Sequence, residues 1–212
     1  GDRRVIWNRL GIVIEGDKIV SIGAASDTKP DPSTQVIDLP NATVLPGLID
    51  AHTHLTFDPK TLGYEGLGIS TPREALVGAR NARVTLEAGF TTVRNLGDGH
   101  NESIALRNAI RSGLVDGPRI LTAGKPIGST GGHADGSDGY RADLQGDSGP
   151  QDGIINSPED AWKAIRQHYK DGVDLIKIMP SGGVLDESAS ADNSQLTEAE
   201  LRALVAAAKD YG

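Results

Sequence analysis

The 212-residue sequence contains no cysteine, which excludes disulfides, thiolate metal ligands and cysteine nucleophiles. No apolar run approaches the roughly 20 residues of a membrane-spanning helix. The opening stretch, GDRRVIWNRL, lacks the hydrophobic centre of a secretion signal. A signal removed by processing leaves no trace, so the compartment stays open. Positive charge is in the minority, with 21 Lys and Arg against 29 Asp and Glu and a formal net charge of −8. That balance argues against nucleic acid or an anionic membrane as the main partner. It is compatible with a carboxylate-lined metal site without indicating one.

Aromatic residues are also few, whereas glycine is abundant at 27 residues. With moderate apolar content, this suits an ordered, loop-rich α/β protein better than a disordered one. The length allows one large domain or two small ones with a sizeable core. The first 45 residues read as short strands. LGIVIEGDKIVSIG alternates around Glu15-Gly16-Asp17-Lys18, a hairpin signal. TQVIDLPNATVLPG supplies two more short β-like runs separated by Pro40-Asn41. This segment has too little apolar surface to stand alone, so residues 1–46 are expected to be part of a small β domain packed on something larger.

From Leu48 the pattern changes to strands alternating with helices. LIDAHTHLTF, FTTVRNLG, PRILTAG and VDLIKIMPSGG read as strands, each followed by a segment with helical spacing or by a loop leading to one. Ser157 followed by Pro158 opens one helix and Gly172 closes it. Thr197 with Glu200 three residues later forms a capping box for the last helix. Four such units imply parallel βα architecture, either a doubly wound open sheet or half of an eight-stranded barrel. Pattern alone does not choose, although the first strand-to-helix loop lacks the GxGxxG of a dinucleotide site.

His52 and His54 lie two apart in a strand, so both imidazoles point to one side. Zn²⁺ needs ligand nitrogens at roughly 2.0–2.1 Å, and this spacing offers two without bending the chain. Asp50 shares the face and could orient a ligand. The alternative is a pair of hydrogen-bonded structural histidines. In the same way, Lys177 between Ile176 and Ile178 is either paired with a buried carboxylate or put to chemical use, because an unpaired buried ammonium is costly.

The stretches VLPGLIDAHTHL, NARVTLEAGFTTVRNLG, GPRILTAGKPIGSTGGHADG and DLIKIMPSGG together resemble the metal-dependent amidohydrolase superfamily over the whole chain. They look most like its Xaa-Pro and Xaa-Arg dipeptidases and imidazolonepropionase-like members. The resemblance implies the first half of a (β/α)8 TIM-like barrel over 47–212, carrying strands one to four, preceded by strands of a small β-sandwich domain over 1–46. It implies two Zn²⁺ ions per complete site, with His52 and His54 on the more buried one and Lys177, carboxylated by CO₂, bridging the two.

His133, in a STGGHADG stretch similar to a GGHGD motif but with Ala134 in place of the second Gly, would polarise the scissile carbonyl. The loop from about Lys125 to Ser157 is long for a plain connection, which suggests that it faces substrate. His100, Tyr140, Ser181, Gly182 and Gly183 are expected to line the substrate pocket, with Tyr140 and Arg141 meeting a substrate carboxylate. His168, on a helix, reads as a packing or surface residue.

The activity so implied is hydrolysis, by a metal-bound hydroxide, of a peptide or amide bond next to a carboxylate-bearing residue. Small peptides and N-acyl amino acids are the expected substrates. A ring-opening hydrolase of the imidazolonepropionase kind or a deaminase, using one metal and no bridging Lys, is the alternative enzyme. A non-catalytic fragment of such an enzyme is the reading from a different class. The remaining family ligands, two His and a proton-shuttling Asp, find no counterparts here. Half a barrel would leave open edges and an uncovered inner face. The expected companions are therefore a C-terminal half, as a separate chain or as a further segment of the polypeptide, and further copies in a homo-oligomer.

Overall fold

The computed structural model describes residues 9–61, 63–183 and 192–212. The chain separates into two compact units, residues 1–46 and 47–212. In the first unit, β1 (Leu10–Glu15) and β2 (Lys18–Ala24) form the expected antiparallel hairpin, with an irregularity between Val13 and Ile14. The two further β-like runs do not become strands. Residues 34–47 are irregular, and Val36 and Ile37 remain 66% and 73% exposed. A strand forms only where another backbone accepts its N–H and C=O groups, and no described segment pairs with these runs.

The second unit holds a parallel sheet in which β3 (Leu48–Thr53), β4 (Phe90–Asn95) and β5 (Arg119–Thr122) lie side by side in chain order. Helix α1 (Thr71–Glu87) connects β3 to β4, and α2 (Glu102–Arg111) connects β4 to β5. Leu55, Ala82, Val93, Leu106 and Ile120 form the core between sheet and helices.

Beyond β5 come α3 (Pro158–Asp171) and α4 (Glu198–Asp210). Ser157 caps α3 by accepting from the Asp160 N–H at 3.1 Å, and Gly172 ends it in the left-handed conformation at φ 83°. Thr197 and Glu200 form the expected capping box, with the Thr197 N–H donating to Glu200 Oε2 at 2.7 Å. A second core cluster, centred on Ile127, Ile155, Ile165 and Leu204, joins both helices to the base of the long loop.

The predicted fourth strand departs from expectation. Residues 174–179 follow the path of a parallel strand but form no continuous ladder. The Asp174 N–H donates to Thr122 O at 2.8 Å. Further on, the Ile127 N–H donates to Lys177 O at 2.9 Å and the Met179 N–H to Ile127 O at 2.8 Å. Between these anchors the neighbouring edge runs through Gly124-Lys125-Pro126, and Pro126 has no N–H to donate. The segment is pinned at both ends all the same, and this fixes the height of Lys177. Among the described residues, no helix is long and apolar enough to cross a membrane.

Candidate active site

Strand alternation places His52 and His54 together at the C-terminal end of β3. Their ring centroids are 5.4 Å apart and their planes inclined by 55°. His54 Nδ1 lies 3.1 Å from Gly97 O. A carbonyl only accepts, so Nδ1 carries the proton and Nε2 keeps its lone pair.

Two residues of the β4 end hold this arrangement. Buried Asn95 accepts the Leu55 N–H through Oδ1 at 2.7 Å and donates through Nδ2 to the same Gly97 O at 3.3 Å. Gly97 has φ +153°, and a Cβ there would sit 3.3 Å from His54 Cε1. Both backbone conformation and ring contact therefore favour glycine.

The His52 imidazole is held below its ordinary pKa, first by burial and then by the Lys177 charge, the neighbouring His54 ring and Arg94, against a smaller opposing pull from Asp50. A neutral ring is the form that binds a metal. Asp50 does not orient that ring as expected. Its Oδ1 accepts the backbone N–H of His52 at 3.0 Å, a local turn-like bond available to any short acidic side chain two residues back. Lys177 forms no ion pair among the described residues, so the alternative of a buried carboxylate partner finds no counterpart in this part of the chain.

His133 and the strand-four mouth meet. The His133 N–H donates to Gln195 Oε1 at 2.9 Å, and a Cβ on Gly183 would collide with the His133 ring. Glycine at 183 thus gives the imidazole its space. Ser181 pairs with Ser194 in an antiparallel bridge, and the Gln195 N–H donates to Pro180 O at 2.8 Å. Segment 194–195 thereby supports both Ser181 and His133.

Residues 43–212 match the model of the family described as "Amidohydrolase family". The chain belongs to the amidohydrolase family. Its structure is similar to that of a Xaa-Pro dipeptidase crystallised with methionine in the active site, with a TM-score of 0.88 and 42% identity over 96% of this chain and 50% of that one. It is 29% identical to ochratoxinase of Aspergillus niger over 93% of this chain and 44% of the relative. A shorter stretch, 24% of the chain, is 51% identical to imidazolonepropionase of Fusobacterium nucleatum subsp. nucleatum and covers 13% of that protein. The chain thus spans about half the length of the dipeptidase and the ochratoxinase. The architecture is that of amidohydrolase barrels in their N-terminal portion.

Amidohydrolases generally depend on metal, and the donor set at β3 fits one. His52 is held below its ordinary pKa, and His54 has its Nε2 free of the Gly97 bond.

The remaining predicted site residues are placed less simply. Tyr140 stacks on Tyr64 with centroids 4.8 Å apart and planes 26° from parallel, and Tyr64 OH accepts the Arg141 N–H at 3.2 Å. Arg141 does not stand ready for a substrate carboxylate, because its guanidinium already holds Asp143, at 2.8 Å from NH2. His168 is a packing residue at 3% exposure. Its ring nitrogens lie 2.8 Å from Ala164 O and 2.7 Å from Lys125 O, tying α3 to the start of the long loop.

His100 is anchored to α2 rather than left free at the mouth. Its backbone N–H donates to Glu102 Oε2 at 3.0 Å, and its ring Nδ1 to Glu102 Oε1 at 3.1 Å. Glu74, from α1, completes a group whose donor atoms all lie within 4.8 Å of one another, close enough to surround one cation. Sequence reasoning missed Glu74 and Glu102, because in one dimension each is an acidic residue in the first turn of a helix, a common N-terminal preference.

Proposed function

We propose that this chain carries the N-terminal half of the active site of a hydrolase acting on C–N bonds. The bond cleaved is a peptide or amide bond next to a carboxylate-bearing residue. The observation behind this reading is the convergence of His52, His54 and Lys177, reinforced by the likeness to a Xaa-Pro dipeptidase over nearly the whole chain.

His52 and His54 would hold zinc through imidazole nitrogen, with Lys177 bridging to a second zinc. Zinc at such a site supplies acidification of a water and polarisation of the amide carbonyl. For the bridging role, the neutral Lys177 amine adds to CO₂, forming an N–C bond and releasing a proton to solvent. A carbamate oxygen then replaces an ammonium that no described residue neutralises. His133, steadied by Gln195 and seated on Gly183, donates a hydrogen bond to the scissile carbonyl oxygen. Ser181, Gly182 and Gly183 let the substrate backbone approach, while Tyr140 and His100 border the pocket. A C-terminal half, in the same polypeptide or as a separate chain, would carry the remaining ligands and the proton-shuttling carboxylate. Association into a homo-oligomer belongs to the same reading.

Xaa-Pro dipeptides come first among the substrates to test. N-acyl amino acids and ochratoxin follow, because ochratoxinase is similar over most of this chain. Ring opening of the imidazolonepropionase kind is the second reading, favoured by the short stretch of 51% identity.

The test is native mass spectrometry of the full-length protein together with assays on these substrates. Two metals, a carbamate on Lys177 and amide hydrolysis are expected. One metal, an unmodified Lys177 and turnover of the cyclic substrate alone would favour the second reading.

A further inference from the structure

The Glu74 carboxylate presents a problem that the metal centre does not explain. Its Oε2 is buried and has no hydrogen-bond partner. The groups that face it are Glu102 from the first turn of α2, and His100 and Asp98 from the loop between β4 and α2. Arg73 on its own helix and Asp58 from the loop after β3 line the same small cavity as Glu74. His100 Nδ1 is 3.8 Å from Glu74 Oε2 and only 3.1 Å from Glu102 Oε1, so its proton goes to Glu102. The side chain of Glu102 is 1% exposed and accepts both His100 N–H groups as a carboxylate. Among the described residues no donor is left for Glu74. A buried oxygen in that position is satisfied only if it carries a proton itself and donates it to the neighbouring carboxylate.

We propose that Glu74 and Glu102 are a carboxylic acid–carboxylate pair sharing one proton, a latch that joins α1 to α2 and fixes the His100 ring at the mouth of β4. The inference stands apart from the hydrolase reading, since it needs neither metal nor substrate.

Glu74 is the acid of the pair. Burial raises its pKa to about 7, helped by the hydrogen bond and the negative charge of Glu102 and opposed by His100. Glu102 is the base. Burial pushes its pKa up, but the proton donated by Glu74 and the His100 N–H bring the balance below the ordinary value. Two carboxyl groups at this separation are not both ionised without strong repulsion. Titration of the pair therefore loosens the contact between the two helices. The loop it anchors also contains Gly97, whose carbonyl sets the His54 tautomer.

The experiment compares full-length protein with Glu74→Gln by thermal unfolding from about pH 5 to about pH 8. The amide keeps the shape and donates to Glu102 without ionising. We expect the midpoint of Glu74→Gln, relative to the unsubstituted protein, to rise from about pH 5 to about pH 7 and to level off above that. Parallel curves would overturn the proposal. Carboxyl ¹³C NMR of the unsubstituted protein reads the same titration without a variant. One glutamate should titrate near 7, and its absence would also overturn the proposal. A third overturning outcome is a rise in midpoint on adding Mn²⁺ at about pH 8 that Glu74→Gln abolishes. It would mean that a cation, not a proton, joins the pair.

Discussion

Two polar clusters sit at the ends of neighbouring strands, and both suppress charge, by opposite means. Around His52 the surrounding charges are mainly positive, from Lys177 and Arg94, and the imidazole responds by shedding its proton. Around Glu74 they are mainly negative, from Glu102 and Asp98, and the carboxyl responds by keeping its proton. Burial and like charge drive both responses. The consequences differ because a deprotonated imidazole exposes a lone pair that a cation can use. A protonated carboxyl spends its proton on the adjacent carboxylate instead. The first cluster is thus prepared to receive a ligand, whereas the second is closed on itself.

The largest expected effect breaks the first cluster. In the full-length protein, His52→Ala or Lys177→Ala should abolish hydrolysis and lower bound metal, read by steady-state assay and elemental analysis. Full activity in Lys177→Ala would sink the bridging-carbamate role.

Next comes the support beneath His54. Asn95→Ala leaves the Leu55 N–H without its acceptor and frees Gly97 O to move. Loss of such an outer contact is expected to weaken metal binding about 10–100-fold, measured by competition with a chelator. Unchanged affinity would mean that His54 holds its orientation without help from the β4 end.

A smaller effect distinguishes the clusters through pH. The folded pKa of Glu74, about 7, lies above the ordinary 4.5. Its stabilising contribution is therefore complete below about pH 4.5 and disappears as pH rises through about 7. Urea midpoints should accordingly show a downward component between about pH 5 and 7 that is missing in Glu74→Gln. A downward component of equal size in both proteins would place its origin elsewhere.

The smallest effect is a surface control. Arg202 NH2 and Glu198 Oε1 are 2.5 Å apart, but both side chains are more than three-quarters exposed. Arg202→Ala should therefore cost no more than about 0.5 kcal/mol. A loss several times larger in urea unfolding would show that short distance alone, without burial, makes an ion pair strong in this protein.

Much of the fold was legible because local signals and tertiary structure agree. The β1–β2 turn, the Ser157 and Thr197 caps and the Gly172 stop each act within one turn of chain and stand where the sequence puts them. Legibility failed where a segment needs a partner. Val36 and Ile37 have strand-like neighbours in sequence but no described strand beside them. The fourth strand keeps its path yet loses its ladder, because the facing edge passes through Pro126. The same division runs through the site. The His52-x-His54 spacing was readable, since a strand fixes it. Nothing local could reveal that Asn95 and Gly97 orient His54, or that Tyr64 lies against Tyr140.

The sequence by itself therefore determined the hairpin, the alternation of strand and helix, the helix ends and the common side of His52 and His54. All of these follow from backbone periodicity and bonds between near neighbours. Tertiary structure alone decided which charges meet. It set Lys177 near His52 across 125 residues and Glu74 beside Glu102 from separate helices. A pKa depends on burial and on charges a few ångströms away in space, and neither quantity is written in the order of the residues.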